Sequence, residues 1–181
     1  MKKLVFAIMM CAAAMSTNAQ VLTSKTVNDV YEAVTNQADC DFVYNAERSG
    51  NDITTMYVYK KTNGRKGAMT LKPHLKYDYS YGADGTLTSR ITSRWDSNQN
   101  DWACAARHDY TLSNGRYSAE YSRYNHTANR FDKPMEKMVY SLMPNDDVNY
   151  ISYYQRPYPT SRYHLVSETL VADQPVLFAG K

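Results

Sequence analysis

Cysteine, histidine and glycine are all scarce in this chain, and each shortage removes a class of chemistry. The 181 residues hold three cysteines, and Cys11 lies inside an apolar N-terminal stretch, which leaves Cys40 and Cys104. Two cysteines alone make no metal site, and His74, His108, His126 and His164 lie too far apart for ligand spacing. The seven glycines form no phosphate-cradling loop, and neither Gly-x-Ser-x-Gly nor His-Glu-x-x-His occurs. No metal, cofactor or catalytic residue is therefore assigned. An excess of charge of one sign is missing too. Without Lys2 and Lys3, 19 basic side chains face 18 acidic ones, a balance that creates no long-range field for nucleic acid or an anionic membrane.

Long apolar runs are absent after the N-terminus. At the N-terminus, Lys2 and Lys3 precede the apolar stretch Leu4–Met15, and Thr17-Asn18-Ala19 supplies small residues before Gln20. About a dozen apolar residues are too few to span a bilayer and suit the centre of a signal peptide. Residues 1–19 thus read as a signal peptide and 20–181 as a single β-rich domain, exported to the periplasm or beyond the cell, with no transmembrane segment after cleavage. Ile8-Met9-Met10 before Cys11 departs from the small residues that usually precede a lipidated cysteine, which argues against a lipid anchor. In an oxidising compartment, a Cys40–Cys104 disulfide would constrain the unfolded chain by about 4 kcal/mol in the entropic model. The competing reading is two small buried thiols.

What the chain does have is tyrosine: 17, against four Phe and two Trp. Tyr-rich and Thr/Ser-rich segments suit half-exposed strands, because tyrosine buries its ring and leaves its hydroxyl wet. Val27, Val30, Tyr31 and Val34 fall at helical spacing with Thr26 placed to cap, although a strand competes there. From Ile53 onward the pattern is extended. Ile53, Tyr57 and Tyr59 share one parity, and Met56 and Val58 the other. Pro73 implies an edge or a break. Strict alternation places Leu87, Ile91 and Trp95 on one face, and Trp102, Cys104, Ala106, His108 and Tyr110 together on the returning strand. Asn63-Gly64, Asp84-Gly85, Asn114-Gly115 and Pro144–Asp147 read as turns. The expected fold is all-β: an antiparallel up-and-down meander of about seven to nine strands with a short N-terminal helix. Closing or curling into a barrel would remove the exposed edges; a β-sandwich or an open sheet is the alternative.

Trp95-Asp96…Asp101-Trp102 recurs 29 positions later as Tyr124-Asn125…Arg130-Phe131, so a hairpin unit is used twice. Tyr124 breaks the parity of Tyr117, Ala119 and Tyr121, which calls for a bulge or an outward ring. Trp95 and Trp102 either brace their turn, a contact of up to about 1 kcal/mol, or form a platform for a sugar ring or a partner's side chain. Tyr153, Tyr154 and Tyr158, beside prolines, are a second aromatic candidate. Two functions follow: a non-catalytic module that binds a glycan or a protein, favoured here, or an extracytoplasmic hydrolase of glycans or peptides.

The leader Met1–Gln20, the run Leu71-Lys72-Pro73-His74-Leu75-Lys76-Tyr77-Asp78-Tyr79 and the segment Arg94–Trp102 together resemble a family of small secreted Bacteroidetes proteins of unknown function, of the DUF 3836 type. The resemblance implies export and one β-rich domain, and it brings no catalytic residues.

Overall fold

The computed structural model describes residues 21–37, 40–63, 68–114, 116–141 and 148–172. The expected signal peptide and the expected turns at Gly64, Gly115 and Pro144–Asp147 lie outside the described residues. The described residues form one helix, α1 (Ser24–Thr35), and ten strands: β1 (Phe42–Ser49), β2 (Asp52–Asn63), β3 (Met69–Tyr81), β4 (Leu87–Asp96), β5 (Asp101–Ser113), β6 (Arg116–Asn125), β7 (Arg130–Phe131), β8 (Glu136–Ser141), β9 (Val148–Gln155) and β10 (His164–Ala172). The strands pair in the order β1-β2-β3-β4-β5-β6-β8-β9-β10, with β7 paired to β6. This is the expected meander. It is not closed: β1 and β10 end the order, so the open sheet replaces the barrel. The described residues fall into two compact units, one of Leu22–Tyr110 with Tyr121–Pro134, the other containing Thr111–Glu120 and the chain from Met135.

In the first unit the helix begins at Thr23 rather than at Thr26. The Thr23 hydroxyl accepts from the Thr26 backbone N–H at 3.3 Å, and the Thr26 hydroxyl accepts from the Thr23 N–H at 3.2 Å. Each threonine thus satisfies a donor that the helix start leaves open. Thr23→Ala should cost about 1 kcal/mol, measured as a lower midpoint in urea unfolding. Just before the helix the chain adds a short rung to the β3–β4 turn, with Leu87 N–H donating to Leu22 C=O at 2.9 Å. The helix packs on β1 and β2 and buries Val27. Arg48 anchors it by donating to the Asn28 side chain at 3.0 Å and lying over the Tyr31 ring.

What sorts the side chains is a series of bulges. Glu47 pairs with Thr55 but Arg48 pairs with Ile53, so Thr54 is an extra residue. His74, Thr88 and Ala105 are extra in the same way in β3, β4 and β5. An extra residue shifts the side-chain alternation by one step. Ile53 therefore joins Met56 and Val58 on one face, and all three are buried, while Thr55, Tyr57 and Tyr59 take the other. Strict alternation fails at each bulge. Leu87 lies opposite Tyr81 and is buried, on the face away from Ile91 and Trp95. Cys104 and Trp102 pair with Ser93 and Trp95, whereas Ala106 and His108 pair with Thr92 and Arg90 on the other face. Pro73 sits beside the His74 bulge and pairs only with Tyr59 of β2, because the β3–β4 ladder stops at Leu75; this locally one-sided, irregular position is the edge or break expected of a proline that lacks an N–H.

The inner face of this unit holds Tyr77, Leu87, Ala106, His108 and Tyr110, all buried. Tyr81 donates from its hydroxyl to the Ile53 carbonyl at 2.7 Å, and burial holds its phenol well above the ordinary range. Tyr81→Phe should lower stability by about 1 kcal/mol, read as a shifted unfolding midpoint with an unchanged slope.

In the second unit β8, β9 and β10 form an antiparallel array with Val166 bulged out of β10. Leu165, Val166 and Leu170 are exposed, and Ser152 is buried, donating to Glu168 at 2.7 Å. No helix among the described residues is long and apolar enough to cross a membrane.

Candidate functional site

Trp95 and Trp102 are directly opposite partners on β4 and β5. Their ring centroids lie 5.2 Å apart at 75°, an edge-to-face contact, the arrangement aromatic quadrupoles favour. The second copy reproduces it. Tyr124 and Phe131 pair across β6 and β7, with centroids 5.1 Å apart, also at 75°. The turns match as well. Asp96 Oδ1 accepts from the Asn98 N–H at 2.8 Å and the Gln99 N–H at 3.4 Å, and Asn125 Oδ1 accepts from the Ala128 N–H at 2.9 Å. Asn100 and Asn129, at equivalent positions, take left-handed φ values of 52° and 49°, a conformation asparagine tolerates. The 29-residue repeat is therefore a structural repeat, and Tyr124 keeps its parity by facing outward with Phe131.

The outer face gathers more rings than the two tryptophans. Tyr57 lies in register with Lys76, Ser93 and Cys104 across three strand pairings. Its ring nevertheless reaches Trp102, with centroids 6.0 Å apart. The two rings lean towards one another over the strands between them, where Ser93 is only 5% exposed. Tyr59, next on the same face of β2, has its ring centroid 6.5 Å from that of Tyr57. The result is a half-exposed cluster of rings, Tyr57, Tyr59, Trp95 and Trp102, in which the strand of Trp95 lies between those of Tyr57 and Trp102. On the same face Arg107 lies 4.7 Å from the Phe131 ring centroid. Alternation alone hid the role of Tyr57; the available signal was the shared parity of Tyr57 and Tyr59 on a strand whose opposite parity is aliphatic.

Polar groups border the cluster. Tyr57 donates to the Glu47 carboxylate at 2.9 Å, Thr55 donates to Asp78 at 3.1 Å, and Lys76 pairs with Asp78 at 3.0 Å. Two further acids serve a turn and an ion pair. Asp84 accepts from the Thr86 hydroxyl and N–H, which hold its carboxyl below the usual range. Asp109 pairs with Arg107 at 2.8 Å.

His108 lies on the inner face, among Arg90 at 3.3 Å and the rings of Tyr110 and Tyr121. A guanidinium only donates, so Nδ1 accepts and the ring proton sits on Nε2. Burial first, and Arg90 second, push the His108 pKa down to about 3. It is a neutral core histidine. Among the described residues no three His, Cys, Asp or Glu side chains are placed to hold a metal.

The remaining sequence candidates are dispersed. Cys40 and Cys104 are free thiols in this structure, and burial raises the Cys104 thiol pKa, partly offset by hydrogen bonds from Ala105 and Ser93. Tyr153 and Tyr154 are neighbours on β9 and so point to opposite faces, while Tyr158 lies exposed in the turn beyond. These three do not share one surface. The second unit also has an open depression of about 520 Å³ lined by Ser113, Asn114, Arg116, Ser118, Lys137 and Val139, in which Lys137 is paired with Glu120.

Residues 1–142 match the family described as a "Family of unknown function (DUF3836)". The chain belongs to the DUF3836 family. A solved Bacteroides fragilis protein of unknown function is 24% identical, with a TM-score of 0.61 over 72% of this chain and 91% of its own. A DUF3836 protein from Parabacteroides distasonis is 19% identical, with a TM-score of 0.49 over 55% of this chain and 88% of its own. A third, from Bacteroides vulgatus, is 24% identical, with a TM-score of 0.46 over 58% and 93%. The first likeness supports the fold. No curated protein matches the chain. The DUF3836 match covers α1 to β8, and so includes both copies of the hairpin and the whole aromatic cluster; β9 and β10 lie beyond it.

Proposed function

We propose that this DUF3836 protein is an exported, non-catalytic binding module that engages its partner through the outer aromatic face of β2, β4 and β5. The observation that carries the reading is the half-exposed cluster of Tyr57, Tyr59, Trp95 and Trp102 on the side away from the buried core. Rings of this kind supply large contact area at low conformational cost. Four carboxylates are already committed elsewhere: Asp84 and Asp96 cap turns, and Asp78 and Asp109 pair with a cation. Export rests on the N-terminal sequence pattern.

The test is a glycan-array and pull-down screen of the mature protein beside Trp95→Ala and Trp102→Ala, with circular dichroism on each. The reading predicts that binding is lost while the spectrum and unfolding midpoint stay near wild type. Retained binding, or folding lost in step with binding, would leave the tryptophans as braces only.

A further inference from the structure

The β2–β3 hairpin supplies a second surface: we infer that its projecting arm docks on a lipid bilayer that carries anionic headgroups. The inference goes beyond the aromatic face and uses none of its four rings.

Strand register sets the arm apart. On one side β1 begins at Phe42, opposite Lys60, and the last tie is the Lys61 N–H donating to the Asp41 C=O at 2.8 Å. On the other side the β3–β4 ladder stops at Leu75. Beyond those points β2 and β3 pair only with each other, from Lys60–Lys72 to Asn63–Met69. Thr62 and Thr70, opposite partners in this ribbon, bring their hydroxyls within 2.8 Å, a cross-strand contact that stabilises it.

The ribbon has two faces. Leu71 lies opposite Lys61 and Met69 opposite Asn63, and Met69 and Leu71 are 63% and 46% exposed. On the other face Lys60 lies directly opposite Lys72, and both are exposed. Like charges so placed repel. Among the described residues neither these two nor Lys61 pairs with a carboxylate. His74 feels the field at the base of the arm: burial first, then Lys60 and Arg94, lower its pKa. Neither the repelling pair nor the exposed aliphatic chains stabilise the fold.

Charge along the chain is segregated in the same place. Between Asp52 and Asp78 the sequence has six basic side chains and no acidic one. Of the 19 basic side chains beyond the leader, that leaves 13 against all 18 acidic ones elsewhere. The balanced total thus conceals a positive arm on an acidic remainder. Such a local charge acts within the Debye length, about 8 Å in physiological salt, and so works on contact rather than at long range.

Charge complementarity selects an anionic partner, and the aliphatic pair selects its kind. Lys60, Lys61 and Lys72 surround the base of the ribbon on both faces, while Met69 and Leu71 lie on one face towards its tip. An oblique approach sinks the two aliphatic chains to the acyl boundary and leaves the ammonium groups among lipid phosphates, their stems snorkelling between the layers. At about 3.3 Å per residue, Met69 lies within about 10 Å of the Lys60–Lys72 pair, a span that matches the interfacial layer. A single nucleic acid strand would call for rings that stack on its bases, and the two exposed side chains here are aliphatic.

Residues 20–181, which omit the apolar N-terminal stretch that would itself enter a bilayer, are sedimented with two kinds of vesicle. One is phosphatidylcholine alone; the other is an equal mixture of phosphatidylcholine and phosphatidylglycerol. Binding is expected to the mixed vesicles only, and to be lost in about 1 M sodium chloride, where the Debye length is about 3 Å. Lys60→Ala with Lys72→Ala should weaken it roughly thirtyfold, and Met69→Ser with Leu71→Ser about tenfold. All four positions are exposed, so both double variants should keep the wild-type circular dichroism spectrum. No binding to the mixed vesicles, or equal binding to phosphatidylcholine alone, overturns the inference. Binding unchanged in both double variants overturns its placement on this arm. Retention on immobilised heparin that needs Lys60 and Lys72 but not Met69 and Leu71, without vesicle binding, makes the partner a soluble polyanion and overturns the lipid assignment.

Discussion

Ile53→Ala should destabilise the protein by about 2–5 kcal/mol, with the unfolding midpoint falling and the tryptophan environment unchanged at low denaturant. Ile53 has no solvent exposure, so its loss removes the transfer free energy of the deleted carbons and leaves a cavity. The site has little room to relax. Tyr81 is tied to the Ile53 carbonyl, Met56 and Val58 follow on the same face, and the Thr54 bulge fixes the local backbone. The comparison that isolates the bulge's role is Tyr57→Ala, two residues past Thr55. By sequence parity alone Tyr57 and Ile53 would be equally buried. In the structure Tyr57 lies on the outer face, and its truncation should cost no more than about 1–2 kcal/mol. Urea unfolding of both variants checks the contrast.

Acidification should destabilise the protein before its carboxylates titrate. Unfolded histidine takes its proton near pH 6.5, whereas folded His108 resists protonation down to about 3. Between those values the unfolded state binds the extra proton, so stability falls as pH falls. The contribution of His108 is fully present above pH 6.5. By pH 4 about 3 kcal/mol of it should be gone, on the order of 1.4 kcal/mol per unit, and the loss levels off below the folded pKa. Unfolding free energies measured from pH 7 to pH 4 test this. His108→Gln, which cannot titrate, should be less stable at pH 7 and show a much flatter limb across that range. If it fails to fold, the ring resonances of His108 in the wild type give the pKa directly by NMR.

Much of the architecture is legible in the sequence because turns and strand lengths are local. Val148–Gln155 appears where its pattern places it, and the Trp95–Trp102 unit recurs at Tyr124–Phe131 down to the asparagine that turns left-handed. The faces are harder to read. Alternation assigns a face only while the ladder is regular, and β2, β3, β4 and β5 each carry one extra residue. The slip leaves a trace: Ile53 and Met56 are apolar three positions apart in a strand, an odd spacing that period two cannot place on one face. The contact between Tyr57 and Trp102 leaves no such trace, since it depends on how long side chains lean across intervening strands. Closure into a barrel was expected in order to hide the two edges. In the structure α1 packs on β1, and a bulge interrupts β10, both devices that blunt an open edge.

The central claim is that the bulges set apart a buried face, with Ala106 and His108, from an aromatic outer face, with Ile91, Trp95 and Trp102. Disulfide trapping in a Cys40→Ser, Cys104→Ser background tests it directly. Thr92 and Ala106 are opposite partners on the buried face, whereas Ile91 pairs with Arg107 on the outer one. Thr92→Cys with Ala106→Cys should oxidise to an intramolecular disulfide, leaving no titratable thiol, while Ile91→Cys with Ala106→Cys should keep both thiols. A disulfide in the Ile91–Ala106 pair and none in the Thr92–Ala106 pair would restore strict alternation and contradict the two-faced arrangement.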